Sequence, residues 1–484
     1  MTAIDLGSRL ELMVDDFLIE EMEGAELRLQ HPTPRETVFS FNAPWEGSGC
    51  GYVTVLEDEG GFRMYYKAWH LAVGADGVAG ASDSSTLHIC LAESPDGIHW
   101  ERPEVGLFEH DGSTDNNIVF SGPGSHGFSP FRDPNPEAAP EERYKAFGHG
   151  KAPDGRRVIW AHRSADGVKW ERMRDEPVMA GHAFDSQNLA FFDTERGEYR
   201  AYIREFTGGE MGKGLRGIMT ATSPDFLDWT EAEWLEYPGA PDEQLYTNQI
   251  APYPRAPHIF VGLPARYIER GWSPSMRALP DPENREMRAR TQERYGTALS
   301  DSLLMTGRDG RTFHRWGEAF VRPGPQRPGT WAYGDHYLNW GLIETEATLP
   351  EAPKELSLYS VEDYWQDSAA SLRRYTLRMD GFVALNAPLS GGEIVTKPLA
   401  FEGERLALNF ATSAAGEIRV EVQDASGAPI AGYMLDDCDP LFGDEIERAV
   451  TWRGGRSGVS ALRDRPIRLR LVMRDADVFS LRFA

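Results

Sequence analysis

The sequence predicts an all-β protein, a five-bladed β-propeller followed by a C-terminal antiparallel β-sandwich. Three observations predict it: a recurring short phrase, an aromatic-rich strand pair ahead of each copy, and a change of strand character near residue 370. The phrase reads Ser94-Pro95-Asp96-Gly97-Ile98-His99-Trp100, then Ser164-Ala165-Asp166-Gly167-Val168-Lys169-Trp170. It returns as Ser223-Pro224-Asp225-Phe226-Leu227-Asp228-Trp229 and, more loosely, as Arg308-Asp309-Gly310-Arg311-Thr312-Phe313. Ser and Asp bond their own backbone, Gly adopts positive φ, and the aromatic turns inward as the next strand begins. The phrase is therefore a strand–turn–strand joint shared by four structural units, absent from the fifth, and carries no chemistry itself.

Five strand pairs accompany it. Tyr52 to Leu56 leads to Phe62 to Tyr66, and 127–131 leads to Tyr144 to Phe147. Leu189 to Phe192 leads to Tyr199 to Ile203, Ile250 to Tyr253 to His258 to Leu263, and Leu338 to Thr345 to Glu355 to Tyr359. Units recurring at roughly 60 to 80 residues suit propeller blades. Strands around 10–19 and 26–30 are expected to close the ring and hide its edges. Residues 1–370 then form the propeller, with 1–30 as its ring-closing strands. Alternating runs such as Leu406 to Phe410 and Ile467 to Val472 make residues 371–484 the sandwich, the boundary falling between Asp367 and Leu372. The Arg- and Glu-rich stretch from Asp281 to Tyr295 reads as a helical insertion in blade four, a lid or an oligomer contact.

Composition narrows the function. A chain of 484 residues with 40% hydrophobic content suits two domains. A formal charge of −26 sets aside nucleic acid and anionic membranes as partners. Three cysteines, Cys50, Cys90 and Cys438, fit neither a disulfide framework nor a zinc motif. The first residues lack a signal peptide's basic and apolar regions, and no apolar run is long enough to span a membrane, so a cytoplasmic setting is expected. A homo-oligomer stays open.

In a propeller the innermost strands line a central channel, and polar groups at their leading ends converge on its mouth. In register these ends are Trp45-Glu46, Ser125-His126, Asp185 to Asn188, Tyr246 to Gln249 and Asp335 to Asn339. Amides and imidazoles bond hydroxyls with fixed geometry, and aromatic rings stack on the apolar face of a sugar. A carbohydrate is the expected partner. Asn248 and Asn339 either contact it or satisfy backbone groups around the channel.

With five blades and a sandwich, the chain resembles the five-bladed propeller glycoside hydrolases, the invertase-like family 32 and the arabinanase and xylosidase family 43. It is most similar to bacterial proteins related to the family 32 N-terminal domain. The resemblance covers nearly the whole chain in architecture and implies glycoside hydrolysis. The family's opening Trp-Met-Asn-Asp-Pro-Asn and its Glu-Cys are missing. Its Arg-Asp-Pro matches Arg132-Asp133-Pro134, but register puts Asp133 at a hairpin tip, where Asp-Pro-Asn is turn chemistry.

Glycoside cleavage uses two carboxyls across the scissile bond. Asp185, ahead of an apolar run, is the expected ionised member, or else a strand cap. Glu205, between Arg204 and Phe206, is the expected acid, or else a surface partner of Arg204. Asp335 and Glu46 are reserves. Trp45, His126, Tyr246, Asn248 and Asn339 are expected to shape the sugar subsite, and Lys67, Arg204 and Arg266 to meet an anionic group. Asp15 and Asp16 read as edge-strand charges. No cofactor is expected; His126 and His336 are the only hint of a channel ion such as calcium. The alternatives are a polysaccharide lyase working through His and Tyr, a glycoside phosphorylase, or a non-catalytic sugar-binding propeller.

Overall fold

The computed structural model describes residues 3–70, 72–74, 77–79, 87–366 and 369–484; Asp367, one edge of the expected boundary, lies outside them. Antiparallel sheets follow one another between residues 33 and 378 and fall into five successive groups, each called one sheet below. The first joins Gly51–Asp58, Gly61–Trp69, Leu87–Ser94 and Ile118–Ser121. The second is built on Gly124–Arg132, Tyr144–Lys151 and Arg157–Ser164, and the third on Leu189–Asp193, Glu198–Phe206 and Arg216–Ser223. The fourth comes in two parts, one around Ala256–Gly262 and one around Ala265–Glu269 and Ala298–Ser302. Ile343–Thr345, Glu355–Glu362 and Ser371–Arg378 make the fifth, completed by Thr33–Ser40.

The recurring phrase folds identically each time. Asp96, Asp166 and Asp225 each accept two backbone N–H groups from the residues that follow, and the indoles of Trp100, Trp170 and Trp229 each donate to the third residue back at 3.1 Å. Asp309 makes the same turn, with Phe313 in the aromatic place. The turn position has φ of 75° at Gly97, 74° at Gly167 and 80° at Gly310, and Phe226 accepts 68° there. A left-handed Phe is strained; its ring is held by Phe131, Phe147, Tyr199 and Trp229.

The turns also join neighbouring sheets. Tyr65 of the first sheet donates to Gly167 O of the second at 2.9 Å, and Tyr202 of the third to Gly310 O of the fourth at 2.9 Å. Tyr359 of the fifth donates to Gly97 O of the first at 2.6 Å, so the series closes on itself. Between the second and third sheets Phe147 stacks on Phe226 at 5.2 Å instead. A second series runs the other way: Tyr144 bonds Asp58 and Tyr199 bonds Asp133, both at 2.7 Å. Asp133 also binds Lys145, so it is a hairpin anchor, as register implied.

Two boundaries differ from expectation. Thr33–Ser40, not the strands before residue 30, pairs with Ser371–Arg378 to complete the fifth sheet. Its sequence contains Pro34, which a sheet tolerates only at an edge, and that proline disguises the strand as a loop. The earlier strands Ile4–Gly7, Glu11–Leu12, Ile19–Glu23 and Glu26–Leu29 instead join the C-terminal sheet. Ser371–Arg378 carries no aromatic-ended turn phrase to tie it to the fifth sheet, so its pattern alone could not assign it there.

That C-terminal sheet has ten strands and is dominated by the long pair Leu406–Asp424 and Ile467–Phe483. Its core gathers Phe410, Trp452, Leu469 and Leu471, all 0% exposed. It is pinned to the sheets before it by Asp380, also 0% exposed, which accepts from Tyr253 at 2.7 Å, Arg255 at 2.9 Å, Ser480 at 2.9 Å and Asn409 at 3.1 Å. Residues 274–297 form three short helices, Pro274–Arg277, Pro282–Ala289 and Glu293–Thr297, within the fourth sheet. Arg285 and Arg288, both buried, donate to the carbonyls of Thr330, Trp331 and Tyr364, so the insertion packs on the chain around 330–364. No described helix is long and apolar enough to cross a membrane.

Tyr202→Phe leaves the Gly310 carbonyl without its donor and should cost about 1–3 kcal/mol. Urea denaturation measures it; an unchanged midpoint would mean that these bonds do not hold the sheets together.

Candidate active site

Three sheets each contribute a cation or imidazole from their second strand at one repeated offset. Lys67, His149 and Arg204 stand five residues after Phe62, Tyr144 and Tyr199, the aromatics near the start of those strands. All three are buried, and all act electrostatically on Asp185 or are acted on by it. Lys67 lies over the rings of Tyr52 at 4.5 Å and Trp69 at 4.8 Å. Arg204 lies over Tyr246 at 5.3 Å.

Asp185 faces this group from the leading end of the third sheet. Its carboxylate is 3.4 Å from His126 Nε2 and 3.9 Å from Arg204. Asp185 and His126 keep 37% and 30% of their side-chain surface exposed, against 3% for Arg204, so the first two are the groups reachable from solvent. Burial pushes the Asp185 carboxyl up, but His126, Arg204, His149 and Arg157 outweigh it and hold the group well below the usual carboxylate range. Burial also lowers His126 to about 4. The imidazole is thus neutral at pH 7, and the permanent charge of Arg204 keeps Asp185 ionised there.

Phenols complete the recess. Tyr52 packs against His126 at 6.0 Å, Tyr246 against Tyr337 at 5.0 Å, and the hydroxyls of Tyr246 and Tyr333 are 3.0 Å apart. Burial raises the Tyr52 phenol well above its usual range, and the proximity of Tyr246, Asp185 and Tyr364 adds to the rise. Beneath, Gln187 spans three sheets: its amide donates to Tyr52 O and Thr54 Oγ1 of the first and accepts from Gln249 of the fourth at 2.6 Å. Tyr52 and Gln249 both adopt positive φ, 50° and 45°. Gln249 and Thr54 also line a separate cavity of about 510 Å³, walled by Phe131, Phe191, Phe192 and Trp340. Its only charged side chains are Glu57 and Arg132, so it offers little chemistry.

The expected pair of Asp185 and Glu205 does not form. The two strand ends do meet, but neighbours on a strand face opposite sides, and Arg204 takes the side toward Asp185. Glu205 binds His182 at 2.9 Å, Ala183 N at 3.3 Å and Phe206 N at 2.7 Å. Arg204 Nε donates to Ala183 O, and Asn188 donates to Phe184 O and Ser186 O. These bonds clamp the loop carrying Asp185.

Most other expected residues are structural. Glu46 is saturated by Tyr66, Arg102 and Ala43 N. Asp335 is buried, which pushes its carboxyl well above the usual range, and accepts from Ala332 N and Tyr364 N, steadying the chain that carries Tyr333 and Tyr364. Asn248 bonds Gln187 O and Tyr202 O, and Asn339 bonds Trp340 O, Gly341 O and Tyr359 N. Arg266 is held by Asp301 and Glu243 and is not open to an anion. Trp45 donates to Asn117; Trp69 is the indole beside Lys67. Asp15 binds Arg308, a structural role, but from the bend between Glu11–Leu12 and Ile19–Glu23 and not from the edge strand expected. His126, Tyr246, Lys67 and Arg204 do reach the recess, as does Tyr337 from the expected Asp335 to Asn339 end, whereas Tyr52 and His149 complete it unforeseen and Arg157 acts on Asp185 electrostatically. The fivefold offset from the strand aromatics was the signal for His149. Among the described residues no group of three or more His, Cys, Asp or Glu gathers as a metal site, and His336 faces Glu362, Arg327 and Arg373 rather than His126.

No protein-family model and no curated protein matches the chain. Solved structures with a similar course include an N-acetylgalactosamine deacetylase from F. plautii in complex with blood group B trisaccharide, at 12% identity and TM-score 0.44 over 72% of this chain and 94% of that one. A thermostable family-43 glycoside hydrolase aligns at 13% identity and TM-score 0.40 over 71% and 95%. The GH32 beta-fructofuranosidase of Bombyx mori aligns at 10% identity and TM-score 0.41 over 93% and 94%. The likeness is loose, and no residue role is carried across it.

Burial lowers Lys67 from 10.5 to about 8. Between these values the unfolded chain holds a proton that the folded chain has lost, so this group's contribution to stability grows as pH rises from about 8 to about 10.5. Lys67→Met should remove that slope and melt higher than the parent at pH 7. Thermal denaturation across this range decides; a variant with the parent's slope would show that the ammonium is well solvated.

Proposed function

We propose that the five sheets are the blades of a propeller, that the C-terminal sheet folds into a sandwich, and that the chain is a glycoside hydrolase centred on Asp185. The observation that carries this reading is one ionised, solvent-reachable carboxylate in a recess walled by phenols and backed by cations. The Tyr-to-turn bonds that close from the fifth sheet onto the first support the propeller.

Rings of Tyr52, Tyr246 and Tyr337 offer faces for the apolar side of a sugar. Asp185 opposes the positive charge that develops at the anomeric carbon, as nucleophile, as base toward water or as a fixed charge. Cleavage breaks the bond from the anomeric carbon to the leaving oxygen, which takes a proton while water supplies the new hydroxyl. Lys67 is an ammonium below about pH 8 and interacts electrostatically with Asp185, which supports it as the proton donor. A carbohydrate is then the partner, and the cytoplasm remains the proposed setting.

A second reading is favoured by one observation: among the described residues no second carboxylate joins Asp185. Elimination from a uronate needs only a base for the C5 proton, a cation on the substrate carboxylate and an acid for the leaving oxygen. Asp185 or His126, Arg204 and a tyrosine supply these.

Assays on aryl furanosides, aryl pyranosides and oligouronates separate the readings, since elimination leaves an unsaturated product that absorbs in the ultraviolet. Asp185→Asn should lose at least about 100-fold in turnover. Glu205→Gln, which keeps an acceptor for Ala183 N–H, should lose less than about tenfold. Equal losses would return Glu205 to the chemistry. Activity should fall as pH rises through about 8, where Lys67 loses its proton.

A further inference from the structure

Charge around the recess runs against the charge of the whole protein. The chain carries a formal −26, yet Lys67, Arg157 and Arg204 all act on Asp185 or His126, with Asp185 the only carboxylate they share. Arg204 has that carboxylate at 3.9 Å. Neither Lys67 nor Arg157 forms an ion pair with a described residue, whereas Arg63, Lys145 and Arg200, near the start of the second strands and away from the recess, all do. A buried ammonium without a counter-charge is destabilising, and Lys67 is 3% exposed. Lys67, held in this condition beside the solvent-reachable Asp185 and His126, is suited to meet an anion.

We propose that the recess takes a saccharide bearing an anionic substituent, a carboxylate or a sulfate, recognised by Lys67, Arg204 and Arg157 while its ring lies against the tyrosines. This rests on the reading of the recess as a carbohydrate site and names its substrate class. Arg204 is suited to such a group because its guanidinium is already oriented through Ala183 O at 2.9 Å and stacked on Tyr246. Asp185 keeps the cluster from being uniformly positive and faces the sugar rather than its charged group.

Titration calorimetry of the full-length protein with glucuronate, galacturonate and glucose 6-sulfate, against glucose and galactose, tests the proposal. An acidic sugar should bind at least about tenfold more tightly than its neutral parent, and less tightly as salt rises. The more peripheral Arg157→Gln should weaken the acidic sugars severalfold or more and leave the neutral ones unchanged, and Lys67→Met should weaken the acidic sugars at least as much. Preference for uronate over sulfate, or the reverse, identifies the group. Equal affinity for charged and neutral sugars, or variants without effect on that ratio, would overturn the proposal. Cleavage of neutral glycosides without any preference for acidic sugars removes the anionic subsite and leaves the glycosidase standing. Tight binding of acidic sugars with no glycoside cleaved does the opposite.

Discussion

A tyrosine hydroxyl from the middle of one sheet reaches the turn carbonyl of the next, and much of the architecture depends on that bond. Asp and Ser side chains hold the turn's N–H groups, and at Gly97 and Gly167 the turn carbonyl accepts both the tyrosine and the turn's own indole, one on each lone pair. Tyr65 and Tyr202 each lock a sheet to its successor, and Tyr359 locks the fifth to the first. These bonds hold neighbouring sheets together, and the leading ends of four of them bring Tyr52, His126, Asp185 and Tyr246 close to one another. Where the second and third sheets meet, Phe147 stacked on Phe226 does the same work by packing. The strained backbone of Phe226 is tolerable because four aromatic rings surround it.

The recess inherits its order from that convergence. Aromatics at two offsets in the second strands make the bonds between sheets, and the residue five positions on from the first of them reaches the recess. The same strand therefore holds the scaffold at one end and supplies Lys67, His149 or Arg204 at the other. Gln187, bonded to the first and fourth sheets, forms the floor at a depth where side chains from several sheets can meet. Around it the chain accepts positive φ at Tyr52, Gln249 and His336. Such strain collects where side chains must point somewhere the regular strand would not send them.

Asp185 and Glu205 show how position and orientation separate. Reading strand ends correctly brought the two residues to one end of one sheet, where Glu205 bonds Ala183 N, two residues from Asp185. The pleat then sends Arg204 to Asp185 and Glu205 to His182. Asn188, Asn248 and Asn339 were legible as a series, but their amides serve the backbone: each bonds main-chain groups near the leading end of its strand. The helical character of 281–295 was legible too, while the contacts of Arg285 and Arg288 with residues 330, 331 and 364 needed the fold.

What the sequence by itself determined is local. The turn phrase, the strand pairs and the alternating C-terminal strands rest on bonds between residues a few positions apart, so a linear pattern carries them. Tertiary structure decided which edge strand completes the fifth sheet, because an edge pairs on one side only and tolerates Pro34 and charge with little pattern of its own. It also decided that 4–29 lies with the C-terminal sheet, since those strands alternate as any half-buried strand does. Above all it decided which cations and phenols face Asp185. A pleated strand offers two faces, and only the packing of the sheets determines which face looks into the recess.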